Sequence, residues 1–343
     1  MIKVAVVGCG YWGPNLIRNF YENPSCKVDY CCDMDNSKVE KVLRKYPSIR
    51  GTNDFDDLLS SAETDAIAIA TPASTHYEMA KKALEAGKHI LVEKPLSLTT
   101  EESEKLNELA EKKNLILMVG HTFEYNPAVR KLKEILNTTD VGKALYMYSA
   151  RLNLGVFRDD VNVMWNLAPH DISIFLYLIE EFPIAVSAIG KSFVRNKLED
   201  VVFMYLEFPS GIIAHLHISC LDPSKIRKTT IVCERKMIIY DDLDNEGRIK
   251  IYDKGFETTL ATDGGIQDYI IRPRAGDIYI PKIDNSEPLR IETEHFIECI
   301  EKGEKPLTDG LNGIRVVNVL ETAESSLREG GTIKKTQWMK WKF

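Results

Sequence analysis

The sequence predicts an α/β protein with an N-terminal doubly wound parallel sheet and a C-terminal α+β domain built on a large, mostly antiparallel sheet. Three observations predict it. Apolar runs such as IKVAVV at 2–7, AIAIATP at 66–72 and LILMVGH at 115–121 alternate with helical stretches, the pattern of strands buried on both faces. A glycine-rich turn, VVGCGYWG, leads from the first strand into the first helix. Beyond about residue 122 the texture changes to longer segments of alternating polarity, as expected of a sheet with one free face.

The elements follow in order. PNLIRNFYEN from Pro14 has helical periodicity with proline at an early helical position. A strand, KVDYCCD at 27–33, precedes a helix from Ser37 and an acidic helix around 54–61. After the strand at 66–72, HYEMAKKALEAG at 76–87 reads as a helix ending on Gly87, a usual C-cap residue. HILVEKP at 89–95, a helix over 101–113 and the strand at 115–121 complete the alternation. In the second part, strands are expected at 144–153, 185–193, 201–208, 212–220 and 229–241. One long helix around 169–181 interrupts them, and a final amphipathic helix at about 310–328 follows a loop-rich stretch over 261–290. The expected domains are therefore 1–122 and 123–343, in keeping with about 100–200 residues per domain. The terminal QWMKWKF reads as a docked or frayed end.

Composition excludes several classes. Of 343 residues, 44% are hydrophobic and 28% charged, with a net charge of −7. No segment approaches the roughly 20 apolar residues that cross a bilayer, so neither membrane nor nucleic acid is an expected partner. Anionic ligands remain compatible, because backbone N–H nests bind phosphate in acidic proteins. The seven cysteines show no CxxC or zinc-type spacing and are odd in number, so disulfides are not expected. Strand residues follow Met1 without an apolar leader, which implies a cytoplasmic protein. His215 and His217 share a strand face but lack a third ligand at suitable spacing, so no metal site is expected.

The glycine pattern carries chemistry. Gly8 permits the tight turn, Gly10 lets a pyrophosphate approach the backbone, and Gly13 lets the helix pack near the strand. Tyr11 stands in the same turn; Trp12 either lies over the cofactor or packs between the first helix and its neighbour. Asp33, twenty residues beyond Gly13 at the end of the second strand, suits adenosine ribose hydroxyls and repels a 2′-phosphate. The expected cofactor is NAD rather than NADP.

Strands of such a sheet present their carboxyl ends to the ligand, so Thr71, Pro72, Glu93, Lys94, Pro95 and His121 should line one edge. Pro95 keeps Lys94 out of helical geometry, in a bond that could be cis. An ammonium fixed beside the nicotinamide would hydrogen-bond a substrate hydroxyl and favour its alkoxide character.

These residues carry a resemblance. GCGYWG at 8–13, TPASTHYEMAKKALEAGKHILVEKPLS at 71–97, GHTFEYNP at 120–127 and NLAPHDI at 166–172 resemble the Gfo/Idh/MocA oxidoreductases, named for glucose-fructose oxidoreductase and inositol dehydrogenase. The resemblance covers essentially the whole chain. It implies that Lys94 and His170 flank the reacting carbon. Asn166 stands where the family usually has aspartate, four residues before that histidine, and cannot act as a carboxylate base. Pro169 suggests that a helix begins there, placing His170 in its first turn, where the dipole keeps the imidazole neutral. Asp171 is either an N-terminal helix residue or part of the site. By the same resemblance His76 sits near the nicotinamide ribose, with capping or packing as the alternative.

GYWGPNL, HTFEYNPAV and MWNLAPHDI look most like the nucleotide-sugar branch, which oxidises position 3 of UDP-N-acetylglucosamine or its uronic acid. Tyr125, Asn126, Arg151 and Asn153 are then expected on the substrate side, with Arg151 meeting a diphosphate or carboxylate; sheet-surface or interface roles are the alternative. A dehydrogenase of free sugars or inositols, and a non-catalytic sugar sensor, are the competing functions. Val201, Phe203 and Tyr205 alternate on one strand, suggesting a face buried against another copy and hence a homodimer or homotetramer.

Overall fold

In this computed structural model, residues 1–138, 140–155, 157, 159–263, 266–337 and 340 are described. In chain order the first elements are β1 (Ile2–Val7), α1 (Gly13–Glu22), β2 (Cys26–Cys32), α2 (Asn36–Lys45), β3 (Arg50–Thr52), α3 (Phe55–Ser60), β4 (Ala66–Ile69), α4 (His76–Glu85), β5 (His89–Glu93), α5 (Thr100–Lys113) and β6 (Leu117–Gly120). There follow α6 (Pro127–Thr138), β7 (Ala144–Leu154), α7 (Val163–Ile179), β8 (Ala185–Lys191), β9 (Val201–Glu207), β10 (Ile213–Ser219), β11 (Leu221–Cys233) and β12 (Met237–Asp241). The last are β13 (Ile249–Asp263), β14 (Ile266–Tyr279), α8 (Pro288–Lys302), α9 (Gly310–Arg328) and β15 (Lys334–Lys335).

Two compact units result, and neither is one stretch of chain. The first comprises Met1–Asn126, 158–161 and Ser286–Glu321; the second comprises Pro127–Phe157, Asn162–Asn285 and Thr322–Phe343. The single boundary expected at 122/123 puts 286–321 in the second domain, whereas this segment belongs to the first unit.

In the first unit β3-β2-β1-β4-β5-β6 form a parallel sheet. The order reverses between β1 and β4, which creates the switch point where such sheets bind ligands. Val4, Val6, Ala66, Ala68 and Leu91 are buried with Leu16, Ile17 and Phe20 of α1. The helices start where polar caps allow: Asp35 accepts from Ser37 N, Asp54 from Asp56 N and Thr99 from Glu102 N, each cap worth about 1 kcal/mol. Gly87, at φ +77° just past α4, confirms the expected stop. The segment 286–321 adds α8, whose Leu289, Phe296 and Ile297 join this same core, with Phe296 edge-on to Phe20 at 6.2 Å.

The second unit holds a sheet in the order β14-β13-β12-β11-β7-β10-β9-β8-β15. It is mostly antiparallel, with β10 and β7 pairing in parallel. Two expectations need correction. TTIVCERKMIIYD, expected as one strand, is the end of β11 turned back onto β12 through Glu234–Lys236. The stretch expected to be loop-rich carries the end of β13, the whole of β14 and the start of α8; backbone pairing of β14 with β13 makes it a strand, and no period in its sequence announces that pairing. Of the terminal QWMKWKF, residues 338, 339 and 341–343 lie outside the described residues.

Helix α7 packs on β7, β9 and β10, covering the face that carries Val202, Met204 and Leu206. The opposite face keeps Val201 and Tyr205 half-buried and Phe203 exposed at 47%, so the described residues leave it partly uncovered. Aromatic rings pair across strands there, Tyr148 on His215 at 5.1 Å and Phe203 on His217 at 4.4 Å.

Candidate active site

The glycine-rich turn shows why each glycine is needed. Gly8 has φ +92°, and a Cβ on it would lie 2.5 Å from Ala70 O. A Cβ on Gly13 would lie 1.8 Å from Gly8 O, so this position admits no side chain at all. Gly10 differs: a Cβ there would meet nothing within 4 Å. The protein's own packing makes no demand for glycine at that position; a backbone that must lie close to a pyrophosphate does. Asp33 closes the turn from β2, its Oδ2 accepting from Cys9 N at 2.8 Å and its Oδ1 from Asp35 N at 2.9 Å. Lys38 lies 3.6 Å from Oδ1. A carboxylate has about four acceptor positions, so Asp33 retains capacity for ribose hydroxyls. These residues fit a dinucleotide at the N-terminus of α1. Tyr11 is 94% exposed beside the turn, and Trp12 is half-buried against the core at the helix start.

The ends of β4, β5 and β6 converge as expected, at one edge of the sheet. His76 is 1% exposed, with Nδ1 2.6 Å from Pro95 O and Nε2 3.0 Å from Thr71 O. Its ring thus joins the chain after β4 to the chain after β5. Thr71 Oγ1 accepts from Thr75 Oγ1 at 2.7 Å, and Pro72 starts the short turn that leads into α4. The Lys94–Pro95 peptide is cis, and Lys94 is half-buried.

Around Lys94 the structure gathers Glu93 and His121, both expected at this edge, and behind His121 it places Asn312 and Glu124, which the sequence does not single out. Glu93 is 8% exposed, and its Oε2 lies 3.3 Å from Lys94 N. Its carboxyl is pushed up to about 7, by burial above all and in spite of the Lys94 charge. His121 is fully buried, and burial lowers it to about 4, with the Lys94 charge acting in the same direction. Its Nδ1 lies 2.6 Å from Asn312 Oδ1, while Asn312 Nδ2 donates to both oxygens of Glu124 at 3.0 and 3.2 Å. Asn312 Oδ1 can only accept, so the proton of the neutral ring is on Nδ1. Glu124, Asn312 and His121 thus form an oriented chain. Its middle member comes from α9, about 190 residues downstream, and no local motif links the three. Tyr125, expected on the substrate side, is instead fully buried: its hydroxyl lies 3.1 Å from Thr308 Oγ1 and its ring 5.6 Å from that of His295. Asn126 is buried at the end of the same turn.

In the second unit the helix of His170 begins earlier than its proline suggests. Asn162 caps α7 by accepting from Trp165 N at 3.1 Å, and its amide donates to Glu199 and Glu324 at 2.9 and 3.0 Å. Pro169 lies inside the helix. The cost, about 3 kcal/mol, is offset because α7 buries residues around most of its circumference. His170 is therefore in mid-helix, and the argument from the helix N-terminus fails, since that field decays within the first turn. Asn166 stands one turn earlier on the same side of α7. Arg151 and Asp171 are 5% and 3% exposed and pair with each other, Nε to Oδ2 at 2.5 Å and Nη2 to Oδ1 at 3.4 Å. Arg151, expected to meet substrate, thus fixes β7 to α7. Asn153 follows it on β7, beside Gly155.

Among the described residues no group of three His, Cys, Asp or Glu side chains is placed to hold a metal ion, and no helix is long and apolar enough to cross a membrane. All seven cysteines are buried thiols.

A parallel sheet in this order, with its glycine turn closed by an acid at the end of β2, defines an NAD-binding oxidoreductase domain. Residues 2–121 match the model of the oxidoreductase family with NAD-binding Rossmann fold, and 129–239 match the GFO/IDH/MocA C-terminal domain. UDP-N-acetylglucosamine 3-dehydrogenase of Acidithiobacillus ferrooxidans is 30% identical over 325 residues, covering 92% of this chain and 94% of that protein. The scyllo-inositol 2-dehydrogenase (NAD(+)) of Bacillus subtilis is 26% identical, covering 96% and 95%. A solved structure of the Acidithiobacillus enzyme superposes with a TM-score of 0.78 at 26% identity, covering 96% of this chain and 98% of that one. The chain belongs to the Gfo/Idh/MocA oxidoreductase family.

Proposed function

We propose that the protein oxidises a secondary hydroxyl of a sugar to a ketone, and that the substrate is a nucleotide sugar of the UDP-N-acetylglucosamine type, oxidised at C3 for cell-surface polysaccharide biosynthesis. The observation that carries the reaction class is the placement of Lys94 at the tip of β5, on the edge to which the glycine turn also opens. The nucleotide-sugar assignment draws on 30% identity to the Acidithiobacillus dehydrogenase over nearly the whole of both chains.

NAD, when bound, supplies the hydride acceptor. The Lys94 ammonium hydrogen-bonds the reacting hydroxyl and favours its alkoxide, and His170 takes the proton, with Asn166 holding by hydrogen bond what an aspartate would hold by charge. Asn126, Asn153 and the Arg151–Asp171 pair support the sugar side, the last by fixing the strand and helix beneath His170. The exposed aromatic face of β7, β9 and β10 is the surface for a homodimer or homotetramer; sedimentation as a monomer at micromolar concentration would count against it.

A free sugar or inositol as substrate is the second reading, favoured by the scyllo-inositol relative. Purified protein should produce NADH from NAD with UDP-N-acetylglucosamine and lose that activity in Lys94→Ala. Turnover of inositol but of no UDP-sugar would transfer the assignment to the second reading. NAD binding without turnover of either class would leave a sensor.

A further inference from the structure

Among its described residues, the first unit buries more carboxyl groups than cations to match them. Glu93, Glu124 and Glu292 are 8%, 1% and 0% exposed. Lys94 acts on Glu93, and Arg315, itself buried on α9, acts on Glu124, which also holds the Asn312 amide. No cation among the described residues acts on Glu292. It sits on the inward stripe of α8, between Leu289 and Phe296. Neither of its oxygens makes a hydrogen bond of good geometry; the Thr122 hydroxyl is the favourable group nearest to it, and the charges that reach it are those of Glu93 and Glu124, both negative.

Among the described residues an ionised carboxylate here has no strong donor and no counter-charge, and at 0% exposure it does not reach bulk solvent; such a group takes up a proton instead. We propose that Glu292 is held as a neutral carboxylic acid in the folded protein and acts as a positioning residue for Lys94, shielding Glu93 from solvent without adding a negative charge beside it. The role given to Lys94 rests on the function proposed above; the protonation of Glu292 does not. Burial and the two neighbouring carboxylates raise Glu292 well above the ordinary glutamate range, in agreement with the geometry. The remaining titratable groups around it do not reverse the balance. His121 stays neutral beside Lys94, and His295 on the same helix accepts from Leu307 N at 3.0 Å.

Infrared spectroscopy tests this without a substrate. At about pH 8, where exposed carboxyls are ionised and buried glutamates can remain protonated, the folded wild type should show a protonated-carboxyl C=O band that Glu292→Gln removes and Glu292→Asp retains. A wild type with no such band overturns the proposal however the variants fold. The positioning role is read from the Glu93 midpoint. Glu292→Gln, equally neutral and of the same shape, should leave it in place, whereas Glu292→Ala, which admits water, should lower it by about one pH unit or more and move the acid limb of turnover with it. Equal midpoints in all three proteins would overturn the positioning role. Should Lys94→Ala leave turnover intact while the band persists, the reading of Lys94 fails and the neutral acid stands.

Discussion

Cys9 donates its backbone N–H to Asp33 Oδ2 at 2.8 Å, so the acid at the end of β2, proposed to meet the ribose, also holds the glycine-rich turn. Asp33→Ala removes both effects. NAD affinity, measured by NADH fluorescence titration, should fall about 10- to 100-fold, the range for losing a charge-assisted hydrogen bond and its partner. Discrimination against NADP should weaken at the same time. Unchanged affinity would remove Asp33 from the site.

Gly10 and Gly13 should respond differently to alanine. At Gly13 the new methyl meets the Gly8 carbonyl at 1.8 Å, so the thermal midpoint and NAD binding should both fall. At Gly10 the methyl meets nothing, so the midpoint should hold while NAD binding weakens. Calorimetry beside a binding titration separates the two outcomes.

Lys94→Ala should lower kcat by about 10²- to 10⁴-fold, the usual contribution of a positioned acid–base group, with NAD binding retained. Asn166→Asp restores a carboxylate one turn from His170, and the pH profile of turnover should then gain a new limb. An unaltered profile would show that position 166 does not communicate with the reacting proton.

The Arg151–Asp171 pair is buried on both sides. Breaking it with Arg151→Ala leaves an uncompensated carboxylate and should cost about 3–5 kcal/mol in denaturant unfolding. The double replacement Arg151→Met, Asp171→Leu should recover most of that loss, because the desolvation cost disappears with both charges. Equal losses in single and double variants would contradict a paired role.

Two titrations at the β5 and β6 tips oppose each other. Glu93 binds its proton more tightly folded than unfolded, so its contribution is present below about pH 4.5 and is lost as pH rises towards 7. His121 is held neutral, so its contribution is present above about pH 6.5 and is lost as pH falls towards 4. Each corresponds to about 3 kcal/mol at most. Glu93→Gln should therefore gain stability relative to wild type as pH rises from 4.5 to 7, and His121→Asn should gain as pH falls from 6.5 to 4. Parallel melting curves across pH would exclude both assignments.

The sequence by itself determined the parallel sheet, the glycine turn with Asp33 and the position of Lys94, because each depends on contacts within one strand–turn–helix unit. Periodicity, glycine and proline report such local geometry directly. The sequence places the start of α7 at Pro169 because proline is a local signal for the first helical turn, whereas the cap that overrides it, Asn162, is anchored by Glu199 and Glu324. Only the tertiary structure decided that 286–321 packs with the N-terminal unit, that Tyr125 and Arg151 spend their polar atoms on protein partners, and that His121 is oriented through Asn312 to Glu124. Burial decided the charge states of Glu93 and His121 in the same way. Desolvation and pairing over nearly 200 residues of chain leave no periodic mark, since they depend on which surfaces meet rather than on what is adjacent along the backbone.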